Sequence, residues 1–122
     1  MTPAGVIARR RSERAALLGA AEQWARRAGP VLGAQAVVVV GSVARGDFNK
    51  WSDTDVLVVA ADLAGGLSER LARLRAVRPP PGVEATGWTP AELTRRRRRG
   101  TDPMAREAYS TGVVVYGALP TG

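Results

Sequence analysis

The sequence predicts an α/β (α+β) sandwich: a small mixed β-sheet with helices packed against it. Two observations carry that prediction. Val37 to Val40 is an unbroken β-branched run and Thr54 to Ala60 is a second Val-rich one, and such runs mark strands covered on both faces. The stretches around them carry helix starts and stops rather than further strand alternation. At 122 residues the chain fits one domain, 1–122, with room for a single modest core.

Residues 4–28 are good helix formers, with Leu17, Ala20, Ala21, Trp24 and Ala28 on one face, and Gly29-Pro30 is expected to end that helix. Gln35 to Val40 is the first strand. Gly41-Ser42 follows without a linker, and a short helical turn through Val43, Ala44 and Arg45 ends at Gly46. Asp47 to Ser52 is a loop, followed by the second strand at Thr54 to Ala60. Gly65-Gly66 breaks the chain before a helix at Leu67 to Val77, with Leu67, Leu71, Leu74 and Val77 as its apolar stripe. Arg78-Pro79-Pro80-Pro81-Gly82 is an extended connector, because successive prolines exclude a helix. Val83 to Trp88 is the third strand. Thr89-Pro90-Ala91-Glu92 combines a cap, a first-turn proline and a capping-box acid, and Asp102-Pro103 starts another helix by the same logic. Gly112 closes that helix, and Val113 to Tyr116 is the last strand.

Cys and His are both absent. That excludes a Ser-His-Asp triad, a thiol nucleophile, the usual zinc sites and a disulfide framework. Any metal would be held by oxygen, which points to Mg²⁺, Mn²⁺ or Ca²⁺. No apolar run approaches the roughly 18 residues of a membrane span, and the amino terminus has no signal-peptide pattern. A soluble cytoplasmic protein is the expectation. The net charge of +7 rests largely on five consecutive arginines, Arg95 to Arg99; the rest of the chain holds 13 basic against 11 acidic residues. That run covers more than one helical turn and cannot all face one way. It reads either as a solvated helix end, where cations suit the dipole, or as a dock for an acidic partner or RNA phosphates.

The chemistry sits in Gly41-Ser42 and in Asp53-Thr54-Asp55. A Gly-Ser pair between a buried strand and a helical turn offers backbone N–H groups and a hydroxyl to an anion; it also serves as an ordinary strand-to-helix bend. Gly41 and Gly46 share the glycine spacing of a Walker A loop, but Asp47-Phe48 stands where the phosphate-binding lysine and metal-binding hydroxyl belong. Asp53 and Asp55 leave the same face of a strand, about 7 Å apart between Cα atoms. Two such carboxylates repel unless a cation lies between them, though Ser-Asp-Thr-Asp is also a common turn composition.

Gly41-Ser42, ten residues, then Asp53-Thr54-Asp55 resembles the signature of the DNA polymerase beta-like nucleotidyltransferase superfamily, and more narrowly the minimal nucleotidyltransferases. The resemblance extends to the amino-terminal helix, to Val83-Glu84-Ala85, and to Ala105-Arg106-Glu107-Ala108 leading into Gly112-Val113-Val114-Val115-Tyr116-Gly117. It implies that Gly41, Ser42 and Arg45 hold the triphosphate of a donor NTP, ATP by analogy. It implies further that Asp53, Asp55 and Glu84 are the catalytic carboxylates binding two Mg²⁺ ions, with Glu84 as the third acid on a following strand. Minimal nucleotidyltransferases are often paired with HEPN-domain proteins, in some cases as antitoxins that adenylylate a tyrosine of the toxin. That implies a partner chain, or self-association, as the means of recognising the acceptor. Three other readings compete: a catalytically silent module that neutralises its partner by contact, a nucleic-acid binder acting through the arginine run, and transfer to a small molecule such as an aminoglycoside. Of the tryptophans, Trp24 and Trp88 are expected in the core, and Trp51, in the loop beside the acids, is placed to contact a base or partner.

Overall fold

The computed structural model describes residues 2–121. Helix α1 (Pro3–Leu32) opens on Thr2, whose hydroxyl accepts the Gly5 N–H, with Pro3 where a missing donor costs nothing. It runs past Gly29-Pro30, contrary to the sequence expectation, and ends at Gly33 in the left-handed region (φ 62°), whose N–H reaches the carbonyls of Gly29 and Pro30. Pro30 forfeits one bond in the last turn, but Ala28, Gly29 and Leu32 are all buried and hold that turn onto the sheet. Gly29 is a packing residue: a Cβ there would stand 2.6 Å from the Tyr116 ring.

Four strands follow the predicted order: β1 (Ala34–Val40), β2 (Thr54–Ala60), β3 (Val83–Trp88) and β4 (Val113–Gly117). They form one mixed sheet, β3-β2-β1-β4, in which β1 is antiparallel to β2 and β4, and β2 is parallel to β3. Both faces are covered, which accounts for the continuous valine runs. Val37, Val39, Val56 and Val58 pack under α1 with Trp24, Ala28 and Leu32. Val38, Val40, Leu57, Val59 and Trp88 pack on the other face against Leu93, Ala105 and Ala108. Those last three belong to α4 (Pro90–Arg99) and α5 (Pro103–Ser110). The result is the helix–sheet–helix sandwich that the sequence predicts. Among the described residues no helix is long and apolar enough to cross a membrane.

Both short helices start as their caps require. Thr89 and Glu92 complete a capping box on α4, and Asp102 accepts from the N–H groups of Met104 and Ala105 on α5. Glu92 also takes a bidentate pair from Arg70, at 2.8 and 3.0 Å, tying α4 to α3 (Leu67–Ala76). On α3 the expected apolar stripe is only partly used. Leu74 is buried, but Leu67 is 72% exposed and Leu71 38%. They flank a groove of about 260 Å³ between α3 and β3, where they meet Ala85, Gly87 and Trp88 from one side only.

Candidate functional site

One end of the strands gathers the residues the sequence singles out. Because β1 and β2 are antiparallel, β1 ends where β2 begins, and Val40 pairs with Asp55; because β2 and β3 are parallel, Asp55 lies beside Glu84. Side chains alternate along a strand. Asp55 therefore shares the face of Leu57 and Val59, and Glu84 shares that of Trp88, which is the α4–α5 face in both cases. Asp53, just ahead of β2, falls on the same side by that alternation. Asp55 is half-buried, whereas Asp53 and Glu84 are exposed.

The neighbouring strand end carries the Gly-Ser turn. Gly41 adopts φ 75°, a conformation that favours glycine, and starts the short helix α2 (Gly41–Arg45). Gly46 closes α2 in the left-handed region, its N–H donating to Ser42 O at 2.8 Å. Arg14, from the middle of α1, donates to the carbonyls of Val43 and Ala44 at 2.9 and 2.8 Å. It thus satisfies two of α2's C-terminal acceptors, while Arg10 reaches the Phe48 carbonyl in the following loop. The loop itself is a closed turn. Asn49 Oδ1 accepts the Trp51 N–H and Ser52 Oγ accepts the Asn49 N–H, which leaves Trp51 pointing outward, 80% exposed.

Two residues that bond the turn lie outside the sequence assignments. Glu107, on α5, accepts the Gly41 N–H on Oε2 at 3.0 Å and Arg45 Nη1 on Oε1 at 2.9 Å. Arg14 fixes the turn from behind. Neither carries a local signal, since each acts on residues far away in sequence.

The electrostatics are those of acids without enough countercharge. Asp55 is held above its ordinary value by burial first, then by the charges of Glu84, Asp53 and Glu107; Arg45 opposes this but does not cancel it. Arg45 is itself raised, chiefly by its hydrogen bond to Asp47, and so stays charged. Hard oxygen donors with surplus negative charge suit a divalent cation, so the donor chemistry of Asp53, Asp55 and Glu84 fits Mg²⁺. Among the described residues, however, no three acids are drawn together into a ready metal-binding group.

The arginine run divides by function. Arg96 stacks over Trp88 at 4.5 Å and bonds Asp102, and Arg97 stacks over Tyr109 at 3.7 Å. Arg95, Arg98 and Arg99 instead line an open groove of about 650 Å³ with Pro90, Ala91 and Thr94. Trp24 and Trp88 are core residues, as expected; the Trp24 indole donates to Val77 O at 2.7 Å.

The fold is that of a nucleotidyltransferase. A crystal structure of a candidate nucleotidyltransferase from Sulfolobus solfataricus superposes with a TM-score of 0.65, covering 86% of this chain and 84% of that one at 18% identity. Residues 22–87, from the second half of α1 through β3, match the nucleotidyltransferase domain family, and the chain belongs to that family. No curated protein sequence matches it. A nucleotidyltransferase domain moves a nucleoside monophosphate group from a nucleotide donor to an acceptor.

Proposed function

We propose that this chain transfers AMP from ATP to a tyrosine hydroxyl of a partner HEPN-domain toxin and thereby serves as its antitoxin. The observation that carries the reading is the pairing of Asp55 with Glu84 directly beside Gly41, with Asp55 pushed up first by burial and then by its acidic neighbours. Gly41, Ser42 and Arg45 face the triphosphate. Asp53 and Asp55 would hold two Mg²⁺ ions, with Glu84 as a further ligand to one of them. Such ions would supply positive charge for the α-phosphate and leaving oxygen and ease ionisation of the attacking hydroxyl. The tyrosine oxygen attacks the α-phosphorus, a new P–O bond forms as the bridge to the β-phosphate breaks, and pyrophosphate departs. Glu84 receives the tyrosine proton.

The test is incorporation of label from α-labelled ATP into the partner. Asp53→Ala with Asp55→Ala abolishes it while the chain remains folded; transfer by that double variant at the wild-type rate refutes the reading. A second reading is that the domain silences its partner by stoichiometric contact. The same double variant separates the two, since under the second reading it still silences the partner.

A further inference from the structure

Gly41 N–H and the Arg45 guanidinium are the donors assigned above to the triphosphate, yet a carboxylate of the chain already holds both. Glu107 uses one oxygen on each, 3.0 Å to Gly41 N and 2.9 Å to Arg45 Nη1. We propose that Glu107 is a resident anion of the phosphate seat: it keeps Gly41 and Arg45 in their working positions and is displaced when a polyphosphate arrives. The inference rests on the reading of Gly41, Ser42 and Arg45 as that seat.

Three features make Glu107 suited to exchange rather than to permanent bonding. Its backbone is fixed, because Ala105 and Ala108 on either side are buried against the sheet and Asp102 caps the helix. Only side-chain torsions need turn to release it. Its side chain is 28% exposed, so an incoming ligand and water can reach it. Space to receive it exists as well: Glu107 borders a surface groove of about 220 Å³ with Pro103, Arg106 and Ser110, and Arg106 there offers a cation.

A tethered carboxylate competes at high effective concentration. An anion that only replaces its two bonds gains little, whereas a triphosphate adds contacts Glu107 cannot make. The seat should therefore discriminate against single phosphates. Part of any ligand's affinity is spent on reaching the open state, and removing Glu107 returns that part.

The test is calorimetric binding of inorganic phosphate and inorganic tripolyphosphate, each with Mg²⁺, to the wild type and to Glu107→Gln, Glu107→Ala and Ser42→Ala. The expected result is binding tighter by about three- to tenfold in both Glu107 variants, as the exchange of a charge-assisted for a neutral bond suggests, by a similar factor for the two anions. Should the alanine variant fail to fold, the glutamine variant decides. A merely structural Glu107 gives weaker or unchanged binding in its variants, and that overturns the inference. If Ser42→Ala weakens binding while the Glu107 variants match the wild type, the seat stands and only this inference falls. If no protein binds tripolyphosphate, both fall.

Discussion

Gly41 and Asp55 sit so close that a Cβ on residue 41 would stand 2.8 Å from the Asp55 carboxylate oxygen. Gly41 also holds φ 75°, where side chains are disfavoured. The turn and the acid thus constrain one another. Gly41→Ala should lower the melting temperature by only a few degrees, because the atom it meets ends a short side chain and can swing away, leaving about 1–2 kcal/mol of backbone strain. Displacing Asp55 should cost far more in nucleotidyl transfer, on the order of tenfold or greater. Melting curves beside transfer assays check the asymmetry; equal loss in both would contradict it.

Asp55 supplies a second test. Its native value lies above the unfolded one of 3.8, so the folded chain binds its proton more tightly. Stability from this group is therefore greatest at low pH and declines as pH rises through the interval above 3.8 up to the raised native value. Asp55→Asn removes the penalty and should raise Tm at neutral pH relative to the wild type. Mg²⁺ or Mn²⁺ should raise Tm for the wild type and not for the variant. Identical responses of the two proteins would remove the cation from the site.

Glu92 behaves with the opposite sign. Its hydrogen bonds from Arg70 come first among the causes that hold it at about 2, against an ordinary 4.5, with further help from Thr89. The stability it contributes is complete above pH 4.5 and is lost as pH falls from there toward 2. Glu92→Gln should cost about 2 kcal/mol at pH 7 and flatten the acid limb of the stability curve. Urea midpoints at pH 7 and pH 3 measure it: the difference between wild type and variant should shrink at the lower pH.

The arginine run should split in the same way in stability. Arg96→Ala loses the Trp88 stack and the Asp102 bond, worth about 1 kcal/mol at this partly exposed position. Arg98→Ala should fall within about 0.5 kcal/mol of the wild type. Equal destabilisation would mean that Arg98 has a structural partner.

What was legible in the sequence was whatever is local. Thr89, Glu92 and Asp102 cap where their spacing says, and the valine runs form the central strands because both faces are covered. Gly41-Ser42 and Asp53-Thr54-Asp55 do meet at one end of the central strands. Glu107 and Arg14 were hidden, since each bonds residues on the turn some 30 or more positions away in the chain. Gly29 misled for a related reason: its lack of a side chain answers to Tyr116, across the fold, rather than to a helix stop. Periodicity points Leu67 and Leu71 inward, but among the described residues their outer sides are left exposed.

Val37 to Val40 presents the same side chain to both layers, so hydrophobicity gives β1 no preference between two alignments one step apart. The ends of the ladder supply it instead. Gly117 passes so close to the Gln35 carbonyl that any side chain would collide with it, and irregular pairings fall between Ala34 and Ala36 and between Val37 and Val38. These act as stops against sliding. Bulk introduced at Gly117 would therefore be felt at the far end of β1, where a one-step slip carries the Gly-Ser turn out of line with Asp55.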